Sequence, residues 1–441
     1  MNFDESVEYL YSLGNEVEAM KLGLENIRTL LTALGDPQKN YRKVQVAGTN
    51  GKGSVCAFLN SICVEAGVKT GLYTSPHLIS ITERIKINGV DISEGDFARL
   101  ASHVRETAEN LRARGEMAYR ATYFEQVTAI ALVAFAEARV ELAILETGLG
   151  GRLDATTAAN AEIVAITRID YDHQEYLGDT IEEIAAEKAA IITANTKEVV
   201  LGEQSLDVMR LLRQRCSDLG IEPLNDEYSP WRVLKNNDET VSVDLSLLAF
   251  PSIYLGLKGH HQIENAQTAL QITKALFYHN VFPNLEGGDV EHVVVQGLQK
   301  AGHPGRLEYE GKYLFDGAHN PGGAKALAEY LMEFEKRPVT LVFGAMRDKN
   351  VSEILEILAP HAERIIMTQP ANSRSRSYEE LLEQLPVDLS KEKTFATDNV
   401  TSAIEIAAVV TPDDGIVLVT GSLYLVGEVK GILKSRTEFE I

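Results

Sequence analysis

The sequence of 441 residues predicts an α/β fold in two unequal parts, on three observations. Short β-branched runs alternate with amphipathic helical stretches from Lys43 almost to the end, the pattern of a mainly parallel sheet covered by helices. From Trp231 to Leu257 consecutive short strands replace that alternation, with Val241, Val243 and Leu245 on one face, as in a small antiparallel insert. After Ala301–Arg306, AGHPGR, whose glycines and proline break any helix and suit a linker, a second and shorter α/β series begins. The boundary falls near Gln299, dividing the chain into 1–299 and a smaller, Rossmann-like 300–441.

In the first part the strands are Lys43–Ala47, Gly71–Tyr73, Leu142–Glu146, Ile163–Thr167 and Val199–Leu201, each a brief apolar run rich in β-branched residues. Helices are expected over Ser54–Ala66, Gly95–Leu111, Phe124–Ala138, Ile181–Ile192 and Leu206–Leu219. Cys56 and Cys63 lie seven apart on the first of these, on one face, and read as core residues. The second series places strands at Tyr313–Phe315, Val339–Phe343, Arg364–Met367 and Ile416–Val419, with a polar loop at Ser373–Ser377.

Composition narrows the class. Hydrophobic residues at 45% and charged residues at 24% exclude general disorder. The formal charge of -22, from 64 acidic and 42 basic side chains, repels nucleic acid and acidic lipid, so any anionic ligand must meet local cations. Three cysteines support neither a disulfide framework nor a thiolate zinc site, which fits a reducing cytoplasm. Met1–Gly14 is acidic and unlike a secretion signal, and the longest apolar run, Val127–Ala136, is too short to span a bilayer. A cytoplasmic monomer acting on small molecules is expected, with neither nucleic acid nor membrane as partner.

Gly48–Ser54 reads GTNGKGS between the strand VQVA and a helix. Glycine-exposed amides of Gly48, Thr49, Asn50, Gly51 and Gly53, with Ser54 at the helix start, can surround phosphate oxygens, and Lys52 can reach the terminal phosphates of ATP. The match to the GxxxxGK[ST] pattern is imperfect: Val46 stands at its first glycine and Gly53 separates Lys52 from Ser54. An ordinary glycine turn is the plainer reading, but the strand and helix flanks favour phosphate.

Other candidates also sit at strand ends. Ser75, in TSPHL, is a hydroxyl that could coordinate Mg²⁺ at the crevice of an open sheet; alone it is a turn residue before Pro76. Arg84 in ERIKING would alone be a surface cation. Glu146 ends an apolar strand and opens ETGLGGRLDAT, where a carboxylate beside a phosphate loop is a natural Mg²⁺ ligand. His173 follows Asp172, and Lys188 lies in IEEIAAEKAAII; by themselves they read as a core histidine and a solvated lysine.

GTNGKGS, TSPHL, ERIKING, ETGLGGRLDAT, DHQEYLGDT and EKAAI occur in that order, followed by HQIENAQTAL, HPGRLE, DGAHNP and GSLYLVGE. The set resembles the folylpolyglutamate synthase and dihydrofolate synthase family of the Mur ligase superfamily over nearly the whole chain. The resemblance implies that ATP phosphorylates a substrate carboxylate and that the amine of L-glutamate attacks the acyl phosphate. It implies two Mg²⁺ ions, one at Ser75 and Glu146 and a second at His173 with a carbamylated Lys188, and Lys52 and Arg306 as cations on the transferred phosphoryl group. Asn265 and Asp316 would meet adenine and ribose, His319 and Ser422 the glutamate. TYFE supplies Thr122 and Phe124, with Phe124 stacking on the pterin of dihydropteroate or a reduced folate, and Arg84, Arg152 and Asp154 complete the substrate site.

The chain departs from the family at Arg168 and Asp170, where asparagine and glycine are usual, and at Thr157, where asparagine is common; contacts near nucleotide or pterin are expected to change there. Another Mur-type ligase acting on a cell-wall precursor, or a nucleotide-binding switch without ligase activity, are the rival readings. TSPHL with ERIKING favours the folate branch, and a cleft with an acceptor site argues against a switch.

Overall fold

The computed structural model describes residues 1–14, 23–224, 231–236, 239–245, 248–282, 288–386 and 393–439. A seven-stranded sheet comprises β1 Arg42–Ala47, β2 Thr70–Tyr73, β3 Ile85–Ile87, β4 Val90–Asp91, β5 Leu142–Glu146, β6 Ile163–Ile166 and β7 Glu198–Leu201. Their order is β4-β3-β2-β5-β1-β6-β7, parallel from β2 to β7 with an antiparallel edge. β5 and β6 read as nearly unbroken apolar runs because both faces are covered, while β1, RKVQVA, buries Lys43 and Gln45 among its valines. Ala143 and Leu145 of β5 pack with the helices Glu94–Ala113 and Tyr123–Ala138, while Leu142 and Ile144 face Lys52–Glu65 and His261–Tyr278.

The insert is antiparallel as expected: β8 Trp231–Lys235, β9 Thr240–Leu245 and β10 Leu248–Tyr254, with Val241, Val243 and Leu245 buried. The second sheet contains β11 Glu308–Glu310, β12 Tyr313–Phe315, β13 Val339–Phe343, β14 Arg364–Thr368, β15 Thr394–Thr397 and β16 Ile416–Thr420. Its order is β11-β12-β16-β13-β14-β15, and only β11 runs antiparallel. Cys56 and Cys63 are buried, as the seven-residue spacing predicts.

Several elements differ from the sequence expectation for physical reasons. The phosphate-loop helix starts at Lys52, not near Ser54, because Gly51 takes the cap position in the left-handed region at φ 91°. ERIKING folds into the β3–β4 hairpin around Asn88 and Gly89, both at positive φ. The acidic start holds a helix, Phe3–Tyr11: Asn2 and Glu5 close a capping box, and Asp4 and Glu5 sit where the helix dipole favours anions. The helix from Ile181 ends at Ala189, three residues short of Ile192. AGHPGR is irregular but packed: Ala301 and Gly305 are buried, and a Cβ on Gly53 would meet the His303 ring.

Gly297, in the helix Gly288–Lys300, allows close contact with Lys52–Glu65; a Cβ there would stand 2.5 Å from Ile62 Cα. Gly297→Val therefore forces the two helices apart and should destabilise the protein by roughly 1–3 kcal/mol. Urea unfolding of the two forms checks this, with an unchanged midpoint as the opposing result.

Candidate active site

The turn after β1 joins the site together. Gly48 lies at φ 150° and faces Thr167 so closely that a side chain there would overlap the hydroxyl, and Gly51 faces the Asn265 amide in the same way. The Thr49 and Asn50 amides donate to the Arg168 carbonyl at 2.9 and 3.2 Å, and Thr49 Oγ1 bonds the Asp170 main chain, which accepts and donates at 3.0 Å. These contacts use the backbone of residues 168–170, so the departures at Arg168 and Asp170 leave the loop's path intact. The amides of Lys52, Gly53 and Ser54 occupy the first helical turn, where a helix has no internal acceptor and attracts an anion.

Two lysines converge beneath that turn. Lys52 Nζ donates to the Gly48 and Thr49 carbonyls, each at 3.1 Å, and Lys188 Nζ donates to Gly48 at 2.9 Å. Burial, reinforced by the Lys52 charge, lowers the Lys188 ammonium to about 7. Sequence alone made Lys188 a solvated lysine; in the fold it is 4% exposed.

At the ends of β2 and β5, Glu146 accepts the Ser75 amide at 3.1 Å. Burial raises the Glu146 carboxyl, against the opposing influence of Lys52, the Ser75 amide, Arg306 and Arg84. Arg84 is no surface cation: it is 2% exposed, donates to His77 Nδ1 at 2.7 Å, and lies over the Tyr123 ring at 5.6 Å. Arg306 stands beside Asp316, whose carboxylate accepts the Leu307 and Ala318 amides at 3.0 and 2.9 Å.

The second sheet completes the site through Asp172. This buried carboxylate accepts Lys349 Nζ at 2.5 Å and Asn320 Nδ2 at 3.1 Å, and His319 Nε2 lies 3.4 Å away. Burial works to raise its pKa, but Lys349, His319 and His173 outweigh burial and hold it well below the usual carboxylate range. Asn320 also donates to Asn50 Oδ1 at 3.0 Å, bringing DGAHNP against the phosphate loop. His173, at φ 51°, meets Asp348 at 3.4 Å and Lys349 at 3.2 Å. The sequence reading missed Asp348 and Lys349; DKN after a strand of an α/β sheet was the available signal.

A cavity of about 150 Å³ lies between the two sheets. It gathers Ser75, Thr122, Phe124, Asp154, His173, His319 and Ser422, with the unforeseen Asp348, Lys349, Arg374 and Tyr424. Some of these side chains also serve the fold. Thr122 caps the helix Tyr123–Ala138; Asp154 accepts the Gly148, Leu149 and Thr156 amides; Ser422 Oγ accepts the Tyr424 amide. Arg152 points elsewhere, to an exposed ion pair with Glu187 at 2.9 Å. Thr157 bonds Gln45 and the Gly151 carbonyl, an internal role that accounts for a hydroxyl in place of the commoner amide. Among the described residues, no three His, Cys, Asp or Glu side chains are grouped to hold a metal, and no helix is long and apolar enough to cross a membrane.

The Mur ligase middle domain matches residues 46–273, and the Mur ligase glutamate ligase domain matches residues 305–423. The chain is 33% identical over 445 residues to the "Probable bifunctional folylpolyglutamate synthase/dihydropteroate synthase" of Haloferax volcanii, covering 98% of this chain and 50% of that protein. It thus spans about half the length of that relative. Identity to the "Dihydrofolate synthase/folylpolyglutamate synthase" of Bacillus subtilis is 33% over 428 residues, covering 94% of this chain and 96% of the other. The structure of Mycobacterium tuberculosis folylpolyglutamate synthase complexed with ADP aligns with a TM-score of 0.86 at 30% identity, covering 98% of both chains.

Removing Lys349 leaves Asp172 as a buried, underpaired anion, so Lys349→Met should cost roughly 3–5 kcal/mol. Pairing it with Asp172→Asn should restore part of that loss. Because the folded pKa of Asp172 is depressed, its stabilisation is complete above the unfolded value of about 3.9 and is lost as pH falls through the folded value. Chemical unfolding from pH 7 to pH 2 should show the gap between wild type and Asp172→Asn flat to about pH 4, then closing. A gap that widens on acidification contradicts the pairing.

Proposed function

The chain belongs to the folylpolyglutamate synthase/dihydrofolate synthase family, and we propose that it is an ATP-dependent ligase joining L-glutamate to a carboxylate of dihydropteroate, of a reduced folate, or of both. Support comes from one juxtaposition: Phe124 and Asp154 from the first sheet share a cavity with His319, Lys349 and Ser422 from the second, directly beside the phosphate loop. Phe124 offers a face for a flat pterin, with Asp154 as its polar neighbour. ATP phosphates rest on the amides of Gly48–Ser54 and on Lys52, Asn265 lies against Gly51 towards the base, and Asp316 and Arg306 serve the ribose and phosphates.

The reaction is amide formation in two displacements. A substrate carboxylate oxygen bonds the γ-phosphorus as the bond to ADP breaks; the glutamate nitrogen then bonds the acyl carbon as phosphate leaves, its surplus protons ending on phosphate and water. Lys52 and Arg306 offset charge on the phosphoryl group, where fixed cations contribute most in the transition state. His319 and Ser422 orient glutamate, and Lys349 adds a cation opposite His173. The parts divided near Gln299 close over the substrates, excluding water from the acyl phosphate. A cytoplasmic, monomeric enzyme fits this reading.

Buried Glu146 and the adjacent Ser75 are hard oxygen donors suited to Mg²⁺, and the raised Glu146 carboxyl is what a divalent cation would offset. Mg²⁺ at Ser75 and Glu146, with a second ion at His173 and a carbamylated Lys188, would neutralise the triphosphate and the incoming carboxylate. Lys188 suits carbamylation because burial lowers its affinity for the proton, and its helix neighbours Ala185, Ala186, Ala189 and Ala190 are small.

Lys52→Ala and Glu146→Ala should stay folded and lose at least a hundredfold in turnover, the scale of a few kcal/mol in transition-state stabilisation. ADP release together with a glutamate-sized mass gain on the pterin substrate measures it; wild-type rates in either variant would reject the assignment.

Lys188→Ala should abolish ligation while nucleotide binding persists, and ¹³C-labelled bicarbonate should give a carbamate resonance in wild type alone. Unaltered turnover after carbon dioxide is stripped away, with no such resonance, would leave Lys188 a simple cation.

A further inference from the structure

The linker AGHPGR touches both parts of the chain. On the second part's side, the Gly317 amide donates to the Gly305 carbonyl at 2.8 Å, and a Cβ on Gly317 would meet the Arg306 guanidinium. On the first part's side, a Cβ on Gly53 would stand 2.4 Å from His303 Nε2 and 3.4 Å from Glu146 Oε1, so the tip of the ring lies over the first turn of the helix Lys52–Glu65. Among the described residues the His303 ring makes no hydrogen bond. The amides of Lys52, Gly53 and Ser54 beside it likewise find no acceptor within the helix, and no side chain caps that end. Burial, with the Arg306 and Lys86 charges, keeps the imidazole neutral. His303 and Arg306 also border one open cavity of about 850 Å³, which gives a ligand access to both.

These unused donors face one place. A neutral imidazole carries one N–H and one lone pair, and the tautomer protonated on Nε2 aims its donor at the turn where the three amides also point. An anion resting there would satisfy the ring and the amides together. We propose that His303 donates from Nε2 to a phosphate oxygen of the bound nucleotide, so that the nucleotide holds the linker, and Arg306 with it, against the phosphate loop. In HPGRLE the resemblance gives a role to Arg306 and none to His303. A neutral donor suits this position, because Lys52 and Arg306 already supply charge and a hydrogen bond to an anion adds direction. The inference rests on the ligase reading above and adds a nucleotide contact from the linker.

Two substitutions separate a donor from mere packing. His303→Gln keeps an amide N–H close to the reach of Nε2, whereas His303→Leu fills the space with no donor. Calorimetry with ADP and Mg²⁺ should show His303→Leu binding roughly tenfold or more weakly than wild type, and His303→Gln within about threefold of it, the scale of one hydrogen bond to a charged group. kcat/KM for ATP should fall in the same order. In protein labelled with ¹⁵N-histidine, ADP should shift the His303 Nε2 resonance, which is identified by its absence from His303→Leu. Wild-type affinity in His303→Leu, equal losses in both variants, or a larger loss in His303→Gln, the order a packing role requires, would overturn the inference and leave the ligase reading standing. So would a His303 resonance that ADP leaves unmoved. Wild type that binds no ADP would overturn the inference and the ligase reading together.

Discussion

The pairing of Asp172 with Lys349 governs how the two sheets meet. A carboxylate removed from water costs several kcal/mol unless donors replace its hydration, and here the donors Lys349 and Asn320 come from the second sheet while the acid comes from the first. The first unit alone would leave Asp172 facing solvent and the second would leave Lys349 there. Joined, they fix one orientation, because Asn320 must reach both Asp172 and Asn50. That orientation sets DGAHNP opposite the phosphate loop and Lys349 beside His173.

Close approach also requires missing side chains on the second part's side of the seam. A Cβ on Gly427 would run into the Leu78 carbonyl, and one on Gly322 would meet the Asp170 carboxylate. Packed interfaces shift between discrete arrangements more readily than they deform. Two bare positions, together with the Asp172–Lys349 bond, therefore fix the register in which the two sheets meet. The reaction cavity lies along that seam, so its shape depends on residues from both sides of it.

What the sequence disclosed follows burial. Strands β5 and β6 were legible because both faces are covered and leave nearly continuous apolar runs, whereas β15, TFAT, lies half-buried at an edge and carries no such run. Ser75 and Glu146 were named because open α/β sheets hold ligands at strand ends, and the phosphate loop because glycines between strand and helix have few other uses, whereas His319 came from the resemblance alone, its motif reading by itself as a polar turn. Lys349 was not, since RDKN reads as a solvated turn until Asp172 faces it. Arg84 was misjudged in isolation because its burial depends on Tyr123, remote in sequence, as well as on nearby His77. Arg152 illustrates the opposite limit: the motif that contains it is informative, yet its side chain turns to Glu187 and solvent.

Lys188 shows why burial of a charge can itself be informative. A lysine serving only to fill space gains nothing from a nitrogen that must lose its hydration, and methionine would pack as well. Its bond to the Gly48 carbonyl, an acceptor already used by Lys52, does not compensate for an ammonium at this depth, which is why its affinity for protons falls. Burial thus makes the uncharged amine far more accessible here than in a solvated lysine. A carbamate of the kind proposed for that amine would retain one N–H, enough to donate to Gly48 as the lysine does. The same contact that now fixes the lysine would then fix the anion, so modification would change the charge of the site without rebuilding the turn that holds phosphate.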